Sequence, residues 1–296
     1  MIKAAVIGAD TECAGEIIRI LIHHPDVEVV GAIAPQLAGK RVDSVHRGLV
    51  GDTDLVFTDT VHGLKHNVEF ICSGHIPADL APDVKVIDLT GTTLGSDDFV
   101  TAVCELNRKA LVRGATKAVL PDMTSLVAVT VLIPVIKESM LDGDVTIAYP
   151  EWVLDSSKWG GGGLPFSPSV ITSVVMDDIR QEQPHFNGAV KFEPSGNECF
   201  RVSYFCGLPA DELVEIYEKH FDDHNFCFMV DRLPAAADVS NTNKCLINLK
   251  VADNRAEVSA LIDPRVKGCS GNAVHAMNLL FGLHERIGLA LKARGR

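Results

Sequence analysis

The stretch Met1-Ile2-Lys3-Ala4-Ala5-Val6-Ile7-Gly8-Ala9-Asp10-Thr11-Glu12-Cys13-Ala14-Gly15-Glu16 opens with an apolar, β-prone run that stops at a glycine. A helix is expected next, from about Cys13 to His23, because Ile17, Ile18, Leu21 and Ile22 recur at helical spacing. The alternation continues along the chain. Val27–Ile33, 68–72 and 84–89 read as further strands and 118–120 as a short one. Pro121-Asp122 then leads into a long helix over about 124–140, capped by Asp or Thr and interrupted by Pro134, where a kink is expected. Strands alternating with helices and bounded by Gly, Pro and Asp imply a parallel sheet with right-handed crossovers.

The character changes near Leu141-Asp142-Gly143-Asp144. Residues 160–168, rich in Gly, Pro and Ser, read as a loop. Runs at 189–193, 199–206, 245–251 and 257–262 alternate in polarity, as strands of a second, mostly antiparallel sheet do. One helix is expected over 210–220, where Asp211 and Glu212 suit a first turn, and another over 272–281. No internal repeat or low-complexity tract is present.

The chain has 296 residues, 47% of them hydrophobic, which suffices for two domains with a core each. Its net charge is −12, from 27 basic and 39 acidic residues, and its one basic run is the short Lys-Ala-Arg-Gly-Arg tail. That balance argues against nucleic acid and anionic membrane as partners and leaves small-molecule ligands. No apolar run is long enough to span a membrane and no signal peptide is evident. Eight cysteines lie scattered without a CxxC pair. The expectation is reduced, packed thiols in a cytoplasmic protein, with neither a disulfide framework nor a metal site.

Several stretches together carry a family resemblance. They are Gly8 through Leu21, His23-His24-Pro25-Asp26-Val27-Glu28-Val29-Val30, Ala38-Gly39-Lys40 with Val45-His46, Val86-Ile87-Asp88-Leu89-Thr90, and Glu105-Leu106-Asn107-Arg108. The closing stretches are Asn241-Thr242-Asn243-Lys244-Cys245 and Val266-Lys267-Gly268-Cys269-Ser270-Gly271-Asn272-Ala273-Val274-His275-Ala276-Met277-Asn278-Leu279. In this order the chain resembles N-acetyl-γ-glutamyl-phosphate reductases of arginine biosynthesis, in their Bacteroides-type form. The match is weakest at 151–200, where the chain is also shorter than is usual for the family. The resemblance implies an α/β protein: a Rossmann-like domain over 1–143, rejoined by 270–296, and an α+β domain over 144–269. The second domain would be of the aspartate-semialdehyde-dehydrogenase/GAPDH-like kind, with its sheet supplying a homodimer or homotetramer contact.

The resemblance also implies NADP as cofactor and a thioester mechanism, in which a cysteine thiolate at a helix start attacks an acyl phosphate. The family motif there is Asn-Pro-Gly-Cys. Here the corresponding residues are Leu120-Pro121-Asp122-Met123, and the thioether of Met123 cannot form a thioester. Asp122 adds a negative charge where an anion would dock. The family's basic histidine falls on Val175 in Val175-Met176-Asp177-Asp178-Ile179-Arg180-Gln181, with His185 as a displaced substitute and Arg180 and Arg201 as candidate substrate holders.

For the cofactor, Gly8, Ala14 and Gly15 keep the small-residue pattern that lets backbone amides approach a pyrophosphate, while Thr11 replaces the middle glycine. Asp10 and Glu12 line the same turn and should repel phosphate. Ala34-Pro35-Gln36 offers no donor cluster for a 2′-phosphate. Ser73 and His75, after the third strand, and Lys267, Gly268 and Asn272, before the last helix, complete the candidate cofactor set. Three readings follow. The first is a family member with little or no reductase activity. The second is a reductase of a related acyl phosphate that recruits Cys72, Cys269 or His185. The third is a regulatory or structural subunit.

Overall fold

A computed structural model of the protein describes residues 1–74, 76, 83–155 and 166–293. The chain divides into two compact units. One holds Met1–Pro121 and Gly268–Leu291, and the other holds the described residues from Asp122 to Lys267.

The first unit contains strands β1 (Ile2–Ile7), β2 (Val27–Ile33), β3 (Phe57–Thr58), β4 (Val68–Ile71), β5 (Lys85–Asp88), β6 (Val100–Thr101) and β7 (Lys117–Val119). They form one parallel sheet in the order β3-β2-β1-β4-β5-β7-β6. Ala4, Ala5 and Val6 of β1 and all four residues of β4 are buried. Such continuous burial without alternation is what a strand covered on both faces requires. Helix α1 (Glu12–Leu21) follows β1, and α2 (Cys104–Val112) follows β6.

The second unit begins with α3 (Met123–Lys137) and β8 (Asp142–Tyr149), followed by α4 (Pro168–Glu182), β9 (Val190–Pro194), β10 (Phe200–Phe205) and α5 (Ala210–Phe221). It continues with β11 (Cys227–Met229), α6 (Ala236–Val239), β12 (Cys245–Ala252) and β13 (Arg255–Ile262). The strand order is β11-β12-β13-β10-β8-β9. The three inner pairings are antiparallel and the two outer ones parallel, so the sheet is mixed. Every residue of α3 from Met123 to Ile136 is buried. It packs on β10, β13, α4 and α5, so it belongs with the second unit and the division falls at Pro121–Asp122, ahead of position 143. It runs through Pro134 as one helix.

The short elements β3, β6, β11 and α6, the helix α2, and the longer β8 and α4 are absent from the sequence reading. Strand β8 starts with Asp142-Gly143-Asp144, turn-forming residues that stay exposed, and its burial begins only at Val145. Helix α4 buries Ile171, Val174, Val175, Asp178 and Ile179 at helical spacing, but a buried aspartate interrupts the apolar stripe that would reveal it.

After β13 the chain passes through a π-helical turn (Val266–Ser270) into α7 (Gly271–Leu280), which packs on α1, α2 and β5 of the first unit. The closing signature supplies polar anchors here. Asn272 Nδ2 donates to the Ala102 carbonyl at 2.7 Å. Asn278 Nδ2 donates to the Glu285 and Ile287 carbonyls, and its Oδ1 faces His24 Nε2 at 3.1 Å. Glu285 meets His275 at 2.8 Å and Arg108 at 2.6 Å. Burial raises the Glu285 carboxyl, but the His275 hydrogen bond and the charges of His275 and Arg108 outweigh it and hold the carboxyl below its ordinary value.

No helix among the described residues is long and apolar enough to cross a membrane. In the second unit, Tyr217 Oη donates to the Val131 carbonyl of α3 at 2.7 Å and lies 2.9 Å from Tyr204 Oη of β10. Since the one Tyr217 proton goes to Val131, Tyr204 donates to Tyr217, and the chain of bonds ties sheet, α5 and α3 together. Tyr217→Phe should therefore destabilise the protein by about 1–3 kcal/mol by stranding both neighbours. Urea denaturation measures it, and Tyr204→Phe, which strands no buried carbonyl, should cost less.

Candidate functional site

The turn between β1 and α1 is held from within. Gly8 takes φ +74°, in the region open to glycine, and an added Cβ would collide with Ser73 at the end of β4. The Gly8 and Ala9 amides donate to the Ile33 carbonyl, and the Thr11 amide to the Gly8 carbonyl. Thr11 is the N-cap of α1: its Oγ1 accepts from the Ala14 amide at 3.3 Å and donates to the Gly8 carbonyl at 2.9 Å. The Gly15 amide returns to the Thr11 carbonyl. His46 Nε2 sits 2.6 Å from the Ala9 carbonyl, and its ring fills the space a side chain at Gly15 would need. Asp10 and Glu12 stay exposed beside the turn. His75 lies outside the described residues.

A disulfide joins Cys13 of α1 to Cys269 of the π-helical turn, with Cα atoms 6.8 Å apart. It departs from the expectation that the cysteines are all reduced, and in this bridged form Cys269 has no thiol to act as a nucleophile. Two cysteines 256 positions apart carry no pairing signal in the sequence. Cys72 is buried at the end of β4, and burial pushes its thiol well up, away from thiolate chemistry. The bridge sets Gly268 and Asn272 in the same unit as Gly8, Thr11, Ala14, Gly15 and Ser73. Lys267 departs from that set. It is 1% exposed in the second unit, with its ammonium 5.7 Å from the centre of the Phe226 ring.

In the second unit the start of α3 is closed by its own chain. Asp122, 4% exposed, is the N-cap, and its Oδ1 accepts from the Thr124 and Ser125 amides at 2.9 and 3.0 Å. Ser125 Oγ donates to the other carboxylate oxygen. Burial pushes the carboxyl up against these hydrogen bonds, which favour its charge. Met123 follows as a buried apolar side chain. Val175 is fully buried in α4, and His185 is exposed in the loop after it. Arg201 is engaged with Glu193 and Glu257, and Arg180 is exposed in the last turn of α4.

Residues 3–113 match the family described as semialdehyde dehydrogenase, NAD binding domain. The N-acetyl-gamma-glutamyl-phosphate reductase of Parabacteroides distasonis is 34% identical, with 99% of each chain covered. The chain belongs to the N-acetyl-gamma-glutamyl-phosphate reductase family. The reductases of Phocaeicola vulgatus and Bacteroides thetaiotaomicron are each 32% identical, again over 99% of both chains. Among solved structures, aspartate semialdehyde dehydrogenase II of Vibrio cholerae, complexed with ASA, superposes with a TM-score of 0.67 at 14% identity, over 95% of this chain and 98% of that one. The Candida albicans aspartate semialdehyde dehydrogenase with NADP gives 0.66 at 12%, over 97% and 99%. These two share the fold.

The reductase family and its dinucleotide-binding domain imply a nicotinamide cofactor. The pyrophosphate turn of this chain departs from an open glycine-rich cradle. The amides of Gly8, Ala9, Thr11, Ala14 and Gly15 are all bonded within the chain, His46 lies against Gly15, and two carboxylates flank the turn. Arg41, further along, is bonded to Asp43 and Asp54. One buried acceptor, Asn272 Oδ1, meets no hydrogen-bond partner among the described residues.

Asp122→Asn keeps an oxygen for the helix cap and removes the titration. The folded carboxyl sits above its unfolded value, so its protonation stabilises at acid pH and that contribution is lost as pH rises. The variant should accordingly gain stability relative to the parent between about pH 3 and 7, as compared by urea denaturation at both ends. A constant difference would contradict the assignment.

Proposed function

We propose that this chain is a reductase-family protein that does not reduce acyl phosphates. Thioester chemistry needs a thiolate at a helix start, where amides stabilise both the sulfur and the developing oxyanion. At the corresponding helix start here, Met123 offers a thioether, and Asp122 occupies the amides of Thr124 and Ser125. That self-capping carboxylate carries the reading. An incoming acyl phosphate would meet a charge of its own sign and amides already bonded.

The surroundings support the same conclusion. Val175, aligned with the family's base, has no proton to move. Cys72 is buried with its thiol raised, and Cys269 is bridged to Cys13. A nicotinamide dinucleotide is the cofactor class of the fold, yet two exposed carboxylates and five amides already bonded within the chain disfavour its pyrophosphate at the first turn, and no hydride step is assigned there. Ala34-Pro35-Gln36 offers no donor cluster for the 2′-phosphate of NADP in particular.

The test runs the reductase reaction in reverse, with N-acetylglutamate semialdehyde, inorganic phosphate and NADP, against the Parabacteroides distasonis reductase in the same assay. Loss of a nucleophile acting with its base costs on the order of 10⁴–10⁶ in rate, and a deficit of that size is expected. Turnover within about 100-fold of the comparison enzyme would be too fast for a chain without the covalent step and would overturn the proposal.

A further inference from the structure

Two helix starts converge in the first unit. Cys13 is the second residue of α1, whose cap is Thr11, and Cys269 stands one residue before Ser270, the cap of α7. Amide groups and the dipole at a helix start favour thiolate over thiol, which makes such cysteines reactive in disulfide exchange. The other six cysteines are free thiols, all buried, and burial raises Cys72 strongly and Cys199 to about 11. All eight cysteines are buried, and what sets Cys13 and Cys269 apart is that they stand close enough to bridge, each beside the start of a helix.

We propose that Cys13 and Cys269 form a redox-responsive site that is oxidised by a low-molecular-weight disulfide, and that the resulting bridge staples the start of α1 to the turn before α7. Cys13, 6% exposed against 3% for Cys269, is the attacking group. Its thiolate attacks one sulfur of the small disulfide, forming a mixed disulfide and expelling one small thiolate. The Cys269 thiol gives its proton to solvent and attacks the Cys13 sulfur, expelling the second small thiolate. Two protein thiols and one small disulfide become one protein bridge and two small thiols. The consequence is mechanical. The segment Gly268–Leu291, which returns to the first unit after the whole second unit, is covalently fixed beside the β1–α1 turn. A loop of 256 residues is closed, which restricts the unfolded chain and raises the melting temperature. The proposal holds whether or not the chain reduces acyl phosphates.

The full chain is treated with oxidised glutathione, denatured, alkylated and mapped by mass spectrometry. Six alkylated cysteines and a linked peptide pair containing Cys13 and Cys269 are expected. Native protein is then equilibrated across mixtures of reduced and oxidised glutathione. The bridge should open and close reversibly, and the oxidised form should melt several degrees higher. Cys13→Ser and Cys269→Ser should each melt at one temperature in every mixture. Eight alkylated cysteines after oxidation, a bridge that stays closed in reduced glutathione, or a melting temperature indifferent to the mixture would each overturn the proposal.

Discussion

A helix buried on all sides must have its first amides bonded by something, and in α3 the carboxylate of Asp122 does this. The arrangement fixes where the second unit starts. The helix then carries β10, β13, α4 and α5 on its sides, and the Tyr204–Tyr217–Val131 hydrogen bonds lock it to the sheet. A carboxylate so placed also has a chemical consequence, because the amides that would face an anion are spent on the chain itself. The cap of α3 and the proposed loss of acyl-phosphate chemistry come from the same group.

The first unit repeats the pattern at its own helix start. Thr11 caps α1, His46 and Ser73 crowd the glycines, and five amides of the turn, those of Gly8, Ala9, Thr11, Ala14 and Gly15, are bonded inside the chain. Meanwhile His275 and Asn278 of the closing signature have structural partners that need no ligand. Asn278 holds the 285–287 stretch and His24, and His275 and Arg108 share Glu285. Retention of that signature therefore reflects the docking of α7, a requirement of the fold.

Much of the fold was legible because its signals are local. The buried run of β1, the glycine at φ +74° and the helical spacing of Ile17, Ile18 and Leu21 each follow from a few adjacent residues. What escaped depended on distant partners. Strand β8 gets its place from pairing with β9 and β10, against the turn-forming composition at its own start. The disulfide joins cysteines at opposite ends of the chain, and Lys267 reads as a candidate cofactor contact until its burial beside the Phe226 ring is known. At the candidate site, both the charge of Asp122 and its place as a candidate cap were legible, whereas its burial and the bond from Ser125 Oγ are set by the packing around α3. Helix α4 hid Val175 in its core for the related reason that a buried aspartate breaks its apolar stripe.

The central claim is that no covalent acyl-enzyme forms at the start of α3. Its most direct test is intact-mass spectrometry of the pure protein, rapidly mixed with N-acetyl-γ-glutamyl phosphate and quenched in acid, which preserves thioesters and esters. An unchanged mass is the predicted result. A stoichiometric gain of one acyl group, mapped to the first turn of α3 or to any cysteine, would contradict the account.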